Sequence, residues 1–187
     1  SAILRLVFLE RSCLMRFLSL IVLFIYFLLA TVVSAQEPEI AVNLNTYPNS
    51  AYGGFSIVYN GKIYLAYEDA ANGRELFVLE DENSTPQLVK DIVPGAESSF
   101  PQECIVANGL LFFRARTPAE GAELWVSDGT AAGTKLLVDL QTGSESGFPS
   151  RFAAFKAGTK LGFKANSNIF GSDFGEEICE TDGTVIG

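Results

Sequence analysis

The sequence of 187 residues contains no histidine, one methionine, one tryptophan and only three cysteines. The absence of histidine excludes the Ser-His-Asp and Cys-His catalytic arrangements and any zinc site with imidazole ligands. The sequence also lacks a G-x-S-x-G motif, a phosphate-binding P-loop and a dinucleotide-binding fingerprint. The commonest machinery of hydrolases and nucleotide-dependent enzymes is therefore missing from this chain.

Positive charge is also scarce, with 13 Lys and Arg against 22 Asp and Glu and a net charge of −9. Nucleic acids and anionic lipid surfaces bind basic proteins, so this balance argues against both as partners. An acidic surface is compatible with a bound cation. We expect no cofactor, and Ca²⁺ is the one ion that the composition leaves open.

Two of the cysteines, Cys104 and Cys179, fall at different points of the repeat described below. In an oxidising compartment they could form a disulfide between neighbouring repeats. Alternatively, each is a small apolar side chain in a core. The sequence leaves both interpretations open.

The N-terminal segment has the layout of a secretory signal peptide. Met15 and Arg16 precede an apolar run over residues 17–33, which ends in the small residues Ser34 and Ala35. We expect a hydrophobic signal helix over residues 15–35, cleavage after Ala35, and a secreted or cell-surface protein. A retained membrane anchor over 17–33 is the alternative, because about 20 apolar residues can span a bilayer.

The segments on either side of this signal are less informative. Residues 1–14 are interpreted as upstream, non-native sequence or as an extended n-region of the signal. Residues 36–49 are polar at their start and are expected to form a linker or entry strand.

The strongest pattern in the chain is an internal repeat. The stretch Glu123-Leu124-Trp125-Val126-Ser127-Asp128-Gly129-Thr130 has an earlier copy that begins at Glu75 and a later copy that begins at Glu177. The first interval is 48 residues (123 − 75) and the second is 54 (177 − 123). Periods of ~40–50 residues are typical of β-propeller blades.

Within the second repeat the local signals predict four β-strands. They are Gln102–Ala107, 110–116, 123–127 and 135–140. Asn108-Gly109 lies between the first two strands and predicts a tight hairpin, because both residues tolerate positive φ. Gly121 is expected to interrupt the chain before the third strand.

The second of these strands is apolar on both faces, with Leu111 and Phe113 on one and Leu110 and Phe112 on the other. Such a sheet needs neighbours on both sides, which stacked repeats provide. We therefore predict an all-β fold, a β-propeller-like array of four-stranded antiparallel blades. A β-solenoid is the alternative, although its usual repeat is shorter.

The blades are expected at residues 50–97, 98–145 and 146–187. The third repeat lacks a fourth strand, since Asp182 and Gly183 already match Asp128 and Gly129. We expect the array of residues 50–187 to be incomplete and truncated.

These residues resemble the ELWxxDGT repeat family of secreted and surface bacterial proteins. The second repeat carries the whole motif through Glu123, Trp125, Asp128, Gly129 and Thr130. The other two depart from it, with Phe77 and Cys179 at the tryptophan position. The resemblance implies export and a propeller-like fold, and it implies no catalytic residues.

The repeated residues have a functional and a structural interpretation. Asp128-Gly129-Thr130 could bind a cation, but an Asx turn is favoured. Trp125 could stack on a sugar, but its replacement by other apolar groups favours packing. The recurring carboxylates could hydrolyse glycosides, but repetition in each unit favours a structural bond to backbone or to an arginine such as Arg74 or Arg114. The structural set is Glu75, Phe77, Glu123, Trp125, Asp128, Gly129, Thr130, Glu177, Asp182 and Gly183.

The loop over 166–174 is the least repetitive part of the array, and insertions in repeat proteins often lie on the binding face. Its candidate ligand contacts are Asn166, Asn168, Phe170, Asp173 and Phe174. Nearby acidic residues could hold Ca²⁺, although a solvated acidic surface is the plainer interpretation.

The sequence therefore favours a non-catalytic, exported repeat protein that serves as a scaffold for extracellular binding or adhesion. Its partner would be a glycan or another protein, with no nucleic acid and with membrane contact only through an uncleaved 17–33. The alternative is the propeller portion of a larger secreted enzyme, for example a glycan-active one, whose catalytic module lies outside this chain.

Overall fold

Within the described residues, eleven β-strands follow the repeat of the sequence in order. The computed structural model describes residues 54–81, 83–166 and 176–184, and these contain no helix. The strands are β1 (Ser56–Tyr59), β2 (Lys62–Asp69), β3 (Gly73–Leu79), β4 (Gln87–Lys90), β5 (Gln102–Ala107), β6 (Leu110–Thr117), β7 (Gly121–Ser127), β8 (Lys135–Val138), β9 (Ser150–Phe155), β10 (Lys160–Asn166) and β11 (Glu176–Thr181).

The strands form three antiparallel sheets, one for each repeat. Sheet 1 has the order β1-β2-β3-β4, sheet 2 the order β5-β6-β7-β8, and sheet 3 the order β9-β10-β11. The prediction of an all-β fold is confirmed. The signal helix predicted for residues 15–35 lies outside the described residues. In the described part, no helix is long and apolar enough to cross a membrane.

The turns between the first two strands of each sheet follow the local sequence. Asn108 and Gly109 have φ angles of 48° and 68°, and Asn60 and Gly61 have 51° and 74°. Positive φ at both positions is the geometry that a two-residue hairpin requires, so the predicted turn is confirmed. In sheet 3 the turn is longer and contains Gly158, because the sequence has an insertion there.

Two predicted strand bounds in the second repeat are wrong. Gly121 does not interrupt the chain before β7 but is its first residue, with a φ of 73°. Strand β8 ends at Val138 rather than at residue 140. The backbone N–H of Leu140 instead donates to the carboxylate of Glu123, which takes it out of the strand.

In every sheet, the residue at the Trp125 position of the repeat lies opposite an equivalent position of the second strand. It lies opposite the fourth residue of the second strand in each sheet, and no shift in register separates the three copies. The three pairs are Leu65 with Phe77, Phe113 with Trp125, and Phe163 with Cys179.

Sheet 2 is covered by apolar side chains on both of its faces. Phe113 and Trp125 pack with Tyr64 of sheet 1 in one core cluster. Phe112 and Leu124 pack in a second cluster that also holds Phe163 of sheet 3. Because a strand alternates its side chains between two faces, sheet 2 is sandwiched between its neighbours.

Sheet 3 differs from sheet 2 on the face that points away from the array. Ile178 lies 54 residues after Leu124 (178 − 124) and is 92% exposed, whereas Leu124 is fully buried. Glu180 stands where sheet 2 has Val126, and it pairs with Lys160 at 3.2 Å and Lys156 at 3.7 Å. The expectation that sheets of this array are apolar on both faces therefore fails for sheet 3.

Leu124→Ala and Ile178→Ala form a matched pair at one repeat position. We expect Leu124→Ala to lower the free energy of unfolding by about 2–5 kcal/mol, because it leaves a cavity in a closed core. We expect Ile178→Ala to change it by less than about 0.5 kcal/mol, since its side chain is in solvent. Urea denaturation of the two variants measures both values, and equal losses would contradict the sandwich of sheets.

Candidate functional site

The carboxylate of Glu75 organises the segment that leads from sheet 1 to sheet 2. The side chain is fully buried and accepts hydrogen bonds from the backbone N–H groups of Ile92 (3.2 Å), Val93 (3.3 Å) and Ser99 (3.0 Å). The hydroxyl of Ser99 donates a fourth bond at 2.5 Å. One side chain of β3 thus fixes both ends of the connecting segment.

Glu123 repeats this arrangement one unit later. It is fully buried and accepts from the N–H groups of Leu140 (2.9 Å) and Gly147 (2.6 Å). Glu177 occupies the matching register position, opposite Ala165 in β10. Arg74 and Arg114 have other neighbours: Arg74 lies 3.8 Å from Glu68, and Arg114 bonds Gln102 and Pro149.

Each connecting segment also binds the sheet that follows it. We call residues 97–101 and 145–149 the two joints. The carbonyl of Ser99 accepts from the N–H of Arg116 in β6 at 2.8 Å, and that of Gly147 accepts from Asn166 in β10 at 2.7 Å. A joint is therefore held by the glutamate of one sheet and by the second strand of the next.

These contacts decide what the recurring glutamates can do. Burial raises the pKa of Glu75 and of Glu123 to about 7, although the N–H donors around each carboxylate act in the opposite direction. Both carboxylates are closed off from solvent, and their oxygens are occupied by the joints. They have no open side from which a substrate could approach.

The Asp-Gly-Thr turns lie against the preceding sheet. Asp128 Oδ1 accepts from the N–H (2.9 Å) and the hydroxyl (2.7 Å) of Thr130, and Asp182 makes the same bonds to Thr184. Gly129 has a φ of 90°. A Cβ atom there would collide with the hydroxyl of Tyr64, and a Cβ atom at Gly183 would lie 2.7 Å from Leu110. We call the packed contact between two neighbouring sheets a seam. The turns therefore lie in these seams.

The tryptophan position and the cysteines are in the same seams. Trp125 and Phe77 are 8% and 2% exposed, so neither presents a surface platform. Cys104 packs against the cluster between sheets 1 and 2, and Cys179 against the cluster between sheets 2 and 3. Both thiols are free, and burial raises the pKa of each.

The candidate ligand loop is described only at its first residue. Asn166 ends β10, and its N–H is bound to the second joint. Asn168, Phe170, Asp173 and Phe174 lie outside the described residues. Within the described part of the chain, no group of three or more acidic or cysteine side chains is placed to hold a metal ion.

An aromatic residue that the sequence analysis missed stands out at each joint. Phe100 and Phe148 both have a φ of 48°, and they are 41% and 56% exposed. A bulky residue in this left-handed region is a backbone outlier and costs about 1–3 kcal/mol. Each ring is therefore held outward at a position where glycine or asparagine would fit with less strain.

The two rings line one groove of about 300 Å³ at one end of strands β5, β6 and β7 of sheet 2. Its other lining residues are Gln102, Arg114, Ala115, Arg116 and Ala122. The Arg116 guanidinium lies over the Phe100 ring, 4.8 Å from its centroid. Arg114 donates to the amide oxygen of Gln102 and, at 3.3 Å, to the carbonyl of Pro149. The groove thus combines aromatic faces with fixed cationic donors.

Arg116 is exposed and forms no ion pair with any carboxylate in the described ranges. A second pocket of about 290 Å³ adjoins the groove at Arg116 and Ala122 and is also lined by Glu97. Arg116 thus shares this second pocket with one acidic residue, Glu97, and forms no ion pair with it. Its donors remain available to a ligand in the groove.

A signal for this groove exists in the sequence. In the sequence, an aromatic residue follows a small residue at Tyr52 and follows the small residues of the two joints at Phe100 and Phe148, with 48 residues between successive copies. Tyr52 lies outside the described residues. Arg116 has Glu68 as its counterpart in sheet 1 and Asn166 in sheet 3, so among the described sheets this guanidinium belongs to sheet 2.

No family model, curated protein or solved structure matches this chain. The geometry of the joints and of the groove therefore carries the functional argument.

Glu75→Gln tests whether the carboxylate holds the joint. The amide nitrogen of glutamine cannot accept a hydrogen bond, so it leaves donors such as Ile92 N–H or the Ser99 hydroxyl unpaired in a buried site. We expect a loss of about 1–3 kcal/mol in the free energy of unfolding. Glu97→Gln, an exposed control, should change little, and a similar loss in both variants would contradict this role.

The pH dependence of stability follows from the same two residues. A folded-state pKa of about 7, above the ordinary 4.5, means that the folded chain binds the proton more tightly than the unfolded chain. This contribution is complete below pH 4.5 and is lost as the pH rises through about 7. We expect the free energy of unfolding to fall between pH 5 and 8.

The Glu75→Gln variant should show a shallower fall over this range, because one of the two groups no longer titrates. Denaturation at a series of pH values measures both slopes. A stability that does not change from pH 5 to 8 in the parent chain would show that the carboxylates are ionised throughout.

Proposed function

We propose that this chain is a non-catalytic, exported repeat protein, a propeller-like scaffold that binds a partner at the cell surface through the groove of Phe100 and Phe148. The observation that carries the proposal is the pair of exposed, strained phenylalanines beside an arginine that pairs with no carboxylate of the described part. Strain that persists at an exposed position supports a role in ligand contact.

The propeller-like arrangement is supported by the way the sheets approach one another. Strand β5 lies beside β1 and also beside β9, so successive sheets meet along their first strands. Blades that radiate from a common axis bring their innermost strands together in this way. The spacing of the motif, which resembles the ELWxxDGT repeat, favours the same arrangement.

The burial and the hydrogen-bond partners of the recurring carboxylates support a non-catalytic role. Glycoside hydrolysis needs two carboxyl groups that flank a bond of the substrate. Glu75 and Glu123 are both fully buried and face backbone donors. Export is supported by the sequence of residues 15–35, with its apolar run and the small residues before Gln36.

A binding survey with the variant Phe148→Asn tests the proposal. Asparagine tolerates positive φ, so the variant should unfold within about 1 kcal/mol of the parent chain. We expect the parent to bind at least one member of a panel of immobilised neutral polysaccharides, acidic polysaccharides and matrix proteins. Phe148→Asn should reduce that binding about tenfold or more. Equal binding by the two chains would exclude the groove as the contact surface.

A further inference from the structure

We propose that the groove binds a short oligosaccharide that carries carboxylates, such as a chain of uronic acids, and that Arg116 pairs with one of those carboxylates. This inference rests on the proposed function, since it names the ligand class of the same groove. Three observations lead to it: the aromatic rings, a guanidinium that pairs with no carboxylate of the described residues, and the size of the groove.

The aromatic rings match the shape of a sugar. A pyranose ring has one face of C–H groups, which packs flat on an aromatic ring and is removed from water by that contact. The Phe148 ring is more than half exposed and contributes to the lining of the groove. The joints bring Phe100 and Phe148 to the same groove, so a ligand with several similar units can contact both.

The guanidinium supplies the charge preference. Arginine presents a planar set of donors that matches a carboxylate in bidentate geometry. Arg116 is held over the Phe100 ring, which limits its rotamers before any ligand arrives. Its own N–H at the backbone is bound to Ser99, so the base of the side chain is fixed by the joint.

Arg114 holds two sides of the groove together. Arg114 bonds Gln102 on one side and the carbonyl of Pro149 on the other, next to Phe148. It therefore positions the second joint relative to β5. Arg114 is a positioning residue, and Arg116 is the group that contacts the ligand.

The size and the overall charge indicate a short ligand. A volume of about 300 Å³ lies at the lower end of small-molecule sites and suits one or two sugar units. The chain as a whole carries a net charge of −9, which repels a long polyanion. At physiological salt such repulsion is screened beyond about 8 Å, so it does not prevent a local contact with Arg116.

The experiment compares trigalacturonate with its methyl ester by titration calorimetry on the whole chain. The two probes share the sugar rings and differ in charge. We expect the acid to bind about tenfold more tightly or better, because a charge-assisted hydrogen bond is lost in the ester. Equal affinity for the two would overturn the role of Arg116.

Three variants separate the contribution of the aromatic ring, that of the Arg116 charge, and that of positive charge elsewhere on the protein. Arg116→Gln should weaken the acid about tenfold and leave the ester within about twofold. Phe148→Asn should weaken both probes. Lys135→Gln, which removes an exposed positive charge on β8, should change neither. If Lys135→Gln matches the effect of Arg116→Gln, charge alone drives binding and the proposal fails.

A triglutamate peptide serves as a non-sugar anion. If it binds as tightly as trigalacturonate, the sugar part of the proposal is overturned. If trigalacturonate does not bind while another partner does so through Phe148, the ligand class is wrong and the scaffold function stands. If Phe148→Asn binds every partner as tightly as the parent chain does, the proposed scaffold function fails as well.

Discussion

The interaction on which this structure depends is the bond between a buried glutamate and the joint that leaves its sheet. A carboxylate buried in this way is costly unless donors surround it, and the chain supplies them from residues 17 to 24 positions further on. Because the same joint also bonds the next sheet, one buried side chain sets the position of two sheets. Each joint then places an aromatic ring, Phe100 or Phe148, one residue after the position that is bonded to both sheets.

The seams between sheets share two contacts that repeat with the motif, and the seam between sheets 2 and 3 has a third. The apolar faces of neighbouring sheets pack together, and the Asp-Gly-Thr turn covers the second strand of the sheet before it. In addition, the Asn108 side chain donates to the carbonyl of Asp182 at 2.8 Å. The outer face of sheet 3 lacks the apolar set of sheet 2, since Gly162 and Glu180 replace Phe112 and Val126. A unit packed on that face would need polar groups that match Glu180 and its lysines.

Much of the architecture could be predicted from the sequence because its causes are local. Asn108-Gly109 specifies its own turn, and the run around Phe112 requires cover on both faces. The joints could not be predicted in the same way, since the bond from Glu75 to Ser99 spans 24 residues and no local pattern encodes it. The strand ending at Val138 was misjudged for that reason. Arg116 was missed because its place over Phe100 depends on the joint.

The strain at the two phenylalanines has different consequences in the two joints. The residue that follows Ser99 or Gly147 has a φ of 48° in both joints, so the backbone cost recurs with the repeat. At Phe100 part of that cost is offset by the contact with Arg116, and the ring has a partner within the chain. Phe148 is the more exposed ring, and Arg116 stacks on Phe100 rather than on it. Its apolar face is therefore left open by the described residues, and in the proposed complex the ligand would cover it. The second joint is thus the place where effects on binding and on folding can be separated.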